Sequence, residues 1–279
     1  SIRRFPVNLT FFSTPDLLEI GGVPFLTSGF RPTRVETVRY YQKVVQVHGL
    51  ATASESRVSS IVANNGDFEV VTPHHIYRAR NVVLATGYFD NPSPFDVPGA
   101  SLQKVKRYYD EPFRYFGRKV AVVGGKNSAV EVALELLRNG AEVTLVHRGS
   151  QLSEGVKYWI LPDIENRIKS GEIKSFFETR IKEIKESSVF LEGKHSLELS
   201  NDVVFVMVGY RPDTRLLEQA GVEIQRESLA PVHDPQTMET NTKGVFIAGS
   251  VAAGKYNNKI FIENGRLHGA LIIREILRK

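Results

Sequence analysis

Two adjacent glycines, Gly124 and Gly125, close a short apolar run and stand just ahead of an amphipathic stretch. A glycine turn at the end of a strand lets the backbone come close to a charged ligand, and the N–H groups at a helix start have no partner inside the helix. Together they can hold a pyrophosphate. Lys126 takes the place of the second glycine in a G-x-G-x-x-A turn, where its side chain either crowds a pyrophosphate or, being cationic, neutralises it. His147 and Arg148 stand about 20 residues past the glycines, where an NAD-binding unit usually offers a carboxylate to the ribose. An arginine there can take a 2′-phosphate with two parallel hydrogen bonds, whereas a carboxylate would repel it. The residue types therefore favour NADPH over NADH.

The elements that must position these residues are legible around them. Val120–Val123 reads as a strand, Val143–Val146 as a second, and Val130, Ala133, Leu134 and Leu137 repeat at helical spacing between them. Gly140 after Asn139 is a helix stop. Strand, turn, helix and strand make the βαβ unit of a dinucleotide-binding domain. The plainer alternative is a structural crossover with an empty turn.

Before this unit, Thr33–His48 reads as a helix, with Thr33 and Glu36 as a capping box and Gly49 as its stop. Short strands follow at Arg57–Asn64, Asp67–Thr72 and Ile76–Arg78, with Asn65-Gly66 as a hairpin turn. Asn81–Thr86 is an apolar strand ending in Gly87, and Asp90–Gly99, with three prolines, is a connection. After the unit come a helix at Tyr158–Ser170, strands at Val203–Val208 and Gly244–Ala248, and a closing helix over Phe261–Leu277. Alternating helices and parallel-type strands give the class α/β. The blocks run 1–99, 100–225 and 226–279.

Composition narrows the chemistry. The 279 residues are 42% hydrophobic and 24% charged, ordinary for a globular protein. No apolar run approaches the roughly 20 residues of a membrane helix, and the basic start SIRRFPVNLTFFS lacks an apolar leader segment, so no membrane partner and a cytoplasmic location are expected. The net charge of +5 comes from scattered Lys and Arg, which argues against a nucleic-acid partner. Cysteine is absent, which removes a thiolate nucleophile or a CxxC pair within these residues. The seven histidines show no metal-ligand spacing, and His74-His75 reads as a surface pair, so no metal is expected.

Two apolar strands end alike, in Ala85-Thr86-Gly87 and Ala248-Gly249-Ser250. With the central nucleotide unit and Gly209-Tyr210-Arg211-Pro212, the chain resembles the thioredoxin-reductase-like flavoproteins over almost its whole length. More narrowly, TFFST, LEIGGVPF, GGKNSAVE, VKYW, PDIENRIK and IFIENGR resemble the bacillithiol-disulfide reductase (YpdA-type) family. The resemblance implies two three-layer, Rossmann-like domains, with an NADPH domain (100–225) inserted into an FAD domain (1–99 and 226–279). It places Gly124, Gly125, Asn127 and Ser128 at the NADPH pyrophosphate and His147 and Arg148 at its 2′-phosphate, with Lys126 and Gly209 further cofactor-binding positions and Lys157 a weaker phosphate candidate. It puts Thr86, Gly87, Gly249 and Ser250 along FAD, and Ile260 and Phe261 by the flavin ring, where core packing is almost as good a reading. Phe11, Phe12 and Ser13 would line the flavin face or simply pack.

Two departures bear on function. Ser250 replaces an Asp of wider relatives, which weakens one contact to the flavin chain. The N-terminal glycine loop of an FAD domain is missing, so the parent protein is expected to be longer by roughly 30 residues, the length of a βαβ start. The implied activity is an NADPH-dependent FAD oxidoreductase that passes electrons to a small acceptor, a low-molecular-weight disulfide such as bacillithiol disulfide. A homodimer is the assembly common in such families. A flavin monooxygenase and a non-catalytic NADPH sensor are the rival readings.

Overall fold

The computed structural model describes every residue except Ser1, Asn65, Asn257 and Asn258. The first elements are α1 (Pro15–Leu18), α2 (Arg34–Val47), β1 (Ser60–Asn64), β2 (Asp67–Val71), β3 (Ile76–Ala79) and β4 (Val82–Leu84). Then come β5 (Val105–Lys106), β6 (Lys119–Val123), α3 (Asn127–Arg138), β7 (Glu142–Val146), α4 (Leu161–Lys169) and β8 (Lys174–Phe176). They are followed by β9 (Thr179–Ile184), β10 (Ser188–Gly193), β11 (Glu198–Ser200) and β12 (Val203–Val206). The chain closes with α5 (Arg215–Gln219), β13 (Val245–Ile247), α6 (Ile262–Gly265) and α7 (His268–Ile276).

Two compact units emerge from the contacts. One gathers Thr10–Asn91 and Tyr210–Lys279 with the start of the chain; the other gathers Arg4–Leu9 and Pro92–Gly209. These changeovers fall earlier than the blocks read from the sequence, for a packing reason. Phe95 and Val97 pack with the second unit's core, while Leu217 and Val222 are buried in the first unit's core.

The second unit is built on a parallel sheet in the order β5-β12-β6-β7-β8. Strand alternation sends Val120, Val122, Val143 and Leu145 to one face, where they pack with Val130, Ala133 and Leu134 of α3 and Ile164 of α4. Ala121, Val123, Val204 and Val206 face the other way and pack with Ile181, Val189 and Leu191. Those last three belong to the antiparallel sheet β11-β10-β9, which forms the third layer. Coverage on both faces is why β6 and β12 read as unbroken apolar runs.

In the first unit, β4 and β13 run parallel with Leu84 opposite Ile247. β1, β2 and β3 form an antiparallel sheet; Asn64 pairs with Asp67 and Gly66 has φ +89, while Asn65 lies outside the described residues. Ile61, Phe68, Leu84, Phe246, Ile247 and Ile272 share its core. α2 carries the expected capping box: Thr33 Oγ1 accepts from the Glu36 N–H, and the Glu36 carboxylate accepts from the Thr33 N–H.

Two helices depart from the sequence reading. α4 starts at Leu161, not Tyr158, with Pro162 in its first turn, where a missing N–H costs nothing. The closing helix is two pieces, α6 and α7, parted by a tightened turn at Arg266 and Leu267. There the Leu267 N–H reaches only three residues back, to the Asn264 carbonyl, and the Arg266 guanidinium donates to the carbonyls of Asp16 and Glu19.

Candidate functional site

Gly124 follows β6 with φ +144, and a Cβ there would lie 2.5 Å from the Met207 carbonyl and 2.9 Å from the Ala129 Cβ. Only glycine lets α3 sit this close to the sheet. A Cβ on Gly125 would strike the His147 ring at 2.6 Å. Lys126 is the extended N-cap of α3, and no side chain caps the helix among the described residues. Its first-turn N–H groups and the positive end of its dipole therefore face outward beside the exposed Lys126 and Ser128, an arrangement that suits a pyrophosphate.

Asn127 does something the motif did not reveal. Its Oδ1 accepts from the Lys157 N–H at 2.7 Å and its Nδ2 donates to the Gly155 carbonyl at 2.9 Å. The Ser153 N–H donates to the Gly125 carbonyl at 2.8 Å. The loop after β7 is thus clasped to the glycine turn, and the Asn127 amide serves the clasp while its backbone stays in the helix's first turn. Lys157 is buried and its ammonium pairs with Glu131, one turn along α3 from Asn127. The pairing commits Lys157 to the scaffold and away from a phosphate.

At the end of β7, Arg148 is exposed and His147 half-buried. Burial, followed by the neighbouring Arg148 charge, holds the His147 imidazole below its ordinary pKa, against a backbone hydrogen bond with Gln151. At neutral pH Arg148 is the cation presented here, and the uncharged His147 ring packs beside Gly125 and Gly149. Gly209, with φ +94, ends the strand region of this unit and its carbonyl accepts from the Ser93 N–H at 3.0 Å.

In the other unit, the parallel pairing of β4 and β13 brings their two similar ends together: the Ala248 N–H donates to the Leu84 carbonyl at 3.0 Å. Gly87 and Gly249 have φ +68 and +70, and Thr86 is exposed. A Cβ on Gly249 would meet nothing within 4 Å, so this backbone is open to a ligand. The Gly249 N–H donates to His268 Nδ1 at 3.2 Å, a contact with no motif to announce it. Ser250 is half-buried in the turn that follows. Ile260 packs against the unit's core, whereas Phe261, at the N-cap of α6, is 49% exposed. Phe11 packs with Leu18 and Tyr40; Phe12 is exposed with Arg31 over its ring; Ser13 is buried and donates to Glu263 at 2.6 Å. His74 and His75 lie in the turn between β2 and β3, and no group of three metal-ligating side chains occurs among the described residues.

Both nucleotide cofactors fit these residues. The uncapped start of α3 with Arg148 beyond it suits a phosphorylated nicotinamide dinucleotide, and the paired glycine ends of β4 and β13, with open space over Gly249, suit a dinucleotide lying along the backbone. Fold and site together define a nicotinamide-dependent flavoprotein. The chain belongs to the pyridine nucleotide-disulphide oxidoreductase family, whose model matches residues 1–249. It is an oxidoreductase that uses FAD and a nicotinamide dinucleotide.

Among relatives, it is 42% identical to the bacilliredoxin reductase Bdr of Bacillus subtilis over 282 residues, spanning all of this chain and 87% of the relative. Among solved structures, the bacillithiol disulfide reductase Bdr (YpdA) of Bacillus cereus superposes with a TM-score of 0.96 at 41% identity, over all of this chain and 88% of that one. The Staphylococcus aureus counterpart matches at 38% identity, also with a TM-score of 0.96, over 99% and 87%. A flavin-containing monooxygenase of Stenotrophomonas maltophilia shares the fold, with a TM-score of 0.77 at 18% identity, over all of this chain and 88% of that one. The fold class expected from the sequence, two Rossmann-like domains, agrees with these neighbours. Among the described residues, no helix is long and apolar enough to cross a membrane.

Proposed function

We propose that the protein is an NADPH-dependent flavin disulfide reductase whose acceptor is a low-molecular-weight thiol disulfide such as bacillithiol disulfide. The acceptor reading rests on the likeness of all or nearly all of this chain to two bacillithiol disulfide reductases, and the NADPH preference on Arg148 standing where a carboxylate would mark NAD. In this reading the unit of Pro92–Gly209 binds NADPH and the other binds FAD. The reaction balances as NADPH, a proton and one disulfide giving NADP⁺ and two thiols.

The chemistry supplied by bound FAD is the relay of two electrons from nicotinamide to acceptor. The chain's own residues bind and orient. The start of α3, with Lys126 and Ser128, takes the pyrophosphate, and Arg148 takes the 2′-phosphate. Asn127 holds the loop beyond Arg148 against the glycine turn. Thr86, Gly87, Gly249 and Ser250 hold FAD through backbone contacts, and Phe261 lies at its ring. None of the 279 residues is cysteine, so none of them forms a mixed disulfide with the acceptor. A cytoplasmic homodimer is the form we expect in the cell.

The test is NADPH oxidation with bacillithiol disulfide, oxidised thioredoxin and a quinone offered separately to the purified protein. Release of two thiols per NADPH with bacillithiol disulfide, well above the other acceptors, supports the reading. Turnover on the quinone with no thiol release would overturn it and favour direct electron transfer.

A further inference from the structure

No sequence motif singles out His268, and its surroundings give it a role. It opens α7, and its Nδ1 accepts the Gly249 N–H across nineteen positions of chain. An imidazole nitrogen that accepts must carry no proton, so the ring's hydrogen sits on Nε2. Gly249 has φ +70 and opens a five-residue 3-10 turn, so its N–H would otherwise have no partner from a regular ladder. On the outer side of the same glycine the space is open. Gly265 closes the inner side: a Cβ there would lie 3.2 Å from the Gly249 Cα. The turn is therefore gripped from behind by α6 and α7 and bare in front.

We propose that His268 is a positioning residue for the flavin: its neutral ring holds the Gly249 N–H, and through it the strand-end turn along which FAD lies. The inference rests on the reading that Gly249 and Ser250 touch FAD. Protonating Nδ1 removes the acceptor and sets one donor against another, so the turn loosens and FAD is held less firmly.

The neighbours agree with a neutral ring. Burial, and then the charge of His233, hold the His268 pKa below the ordinary 6.5. His233 lies between α5 and β13 and is tied by Nδ1 to the Pro231 carbonyl. Beside it, the Asp234 carboxylate accepts from the Gln236 N–H. Arg266, two residues before His268, is committed to the carbonyls of Asp16 and Glu19, and the turn Gly249–Ala253 carries no ionisable side chain.

The readout is the dissociation constant of FAD, by fluorescence of the released flavin, on protein that circular dichroism shows to be folded. In the wild type it should rise about tenfold between about pH 7.5 and about pH 5, the loss of one hydrogen bond to a backbone N–H. His268→Asn places an acceptor that does not titrate at the position of Nδ1, and should hold FAD tightly with the pH dependence flattened. His268→Leu should hold it about tenfold more weakly at every pH. The proposal fails if the Asn variant keeps the wild-type pH dependence, or if the folded Leu variant holds FAD as the wild type does. Gly249→Asn separates the underlying reading, since asparagine tolerates the left-handed φ +70 and its side chain points into the open space. FAD affinity unchanged in that variant would show that this turn does not touch the flavin, whereas a loss there beside silent His268 variants would sink only the histidine's role.

Discussion

Arg148 leaves β7 with its guanidinium exposed, while His147 beside it is turned against the glycine turn and kept neutral by burial. We propose that Arg148, more than His147, takes the 2′-phosphate. Replacing Arg148 with Ala should lower kcat/KM for NADPH by roughly tenfold to a hundredfold and leave NADH almost unchanged, since a charge-assisted hydrogen bond contributes about 1.5–3 kcal/mol. Steady-state kinetics with both cofactors checks this. Equal losses for the two would show that the 2′-phosphate binds elsewhere. The side chains of Asn127 and Lys157 are engaged within the fold, Asn127 with the Gly155 carbonyl and the Lys157 N–H, and Lys157 with Glu131.

At the scale of elements, a local signal made α2 and α3 readable. The Thr33–Glu36 box and the helical spacing of Val130, Ala133, Leu134 and Leu137 each lie within a few turns of chain, and the structure shows both helices where those signals put them. Non-local contacts could not be read this way. Asn127 meets a loop thirty residues on, His268 reaches back to Gly249, and the closing helix is parted where Arg266 is held by residues near the start of the chain. α4 begins at Leu161, about one turn past Tyr158, because Pro162 suits only the first turn of a helix. The capping box also has a pH signature. Backbone N–H donation from Ser28 and then Thr33 depresses the Glu36 carboxyl from 4.5 to about 2. A depressed carboxylate stabilises fully above its unfolded value and loses that contribution as pH falls from 4.5 toward about 2. The contribution is small because the carboxylate is only partly buried and solvent screens it. Thermal melting across that window should show a slightly steeper acid loss for the wild type than for Glu36→Gln; identical slopes would contradict the assignment.

For the whole molecule, one unit offers an uncapped helix start with a basic strand end, and the other offers two glycine strand ends side by side. The chain belongs to the pyridine nucleotide-disulphide oxidoreductase family over residues 1–249, and we propose these as its two cofactor sites. The most direct measurement is an anaerobic titration of the FAD-loaded protein with NADPH, followed by bacillithiol disulfide, watched in the visible flavin band. The band should bleach with one equivalent of NADPH and return when the disulfide is added, with free thiol appearing. A flavin band that NADPH leaves unchanged would contradict it.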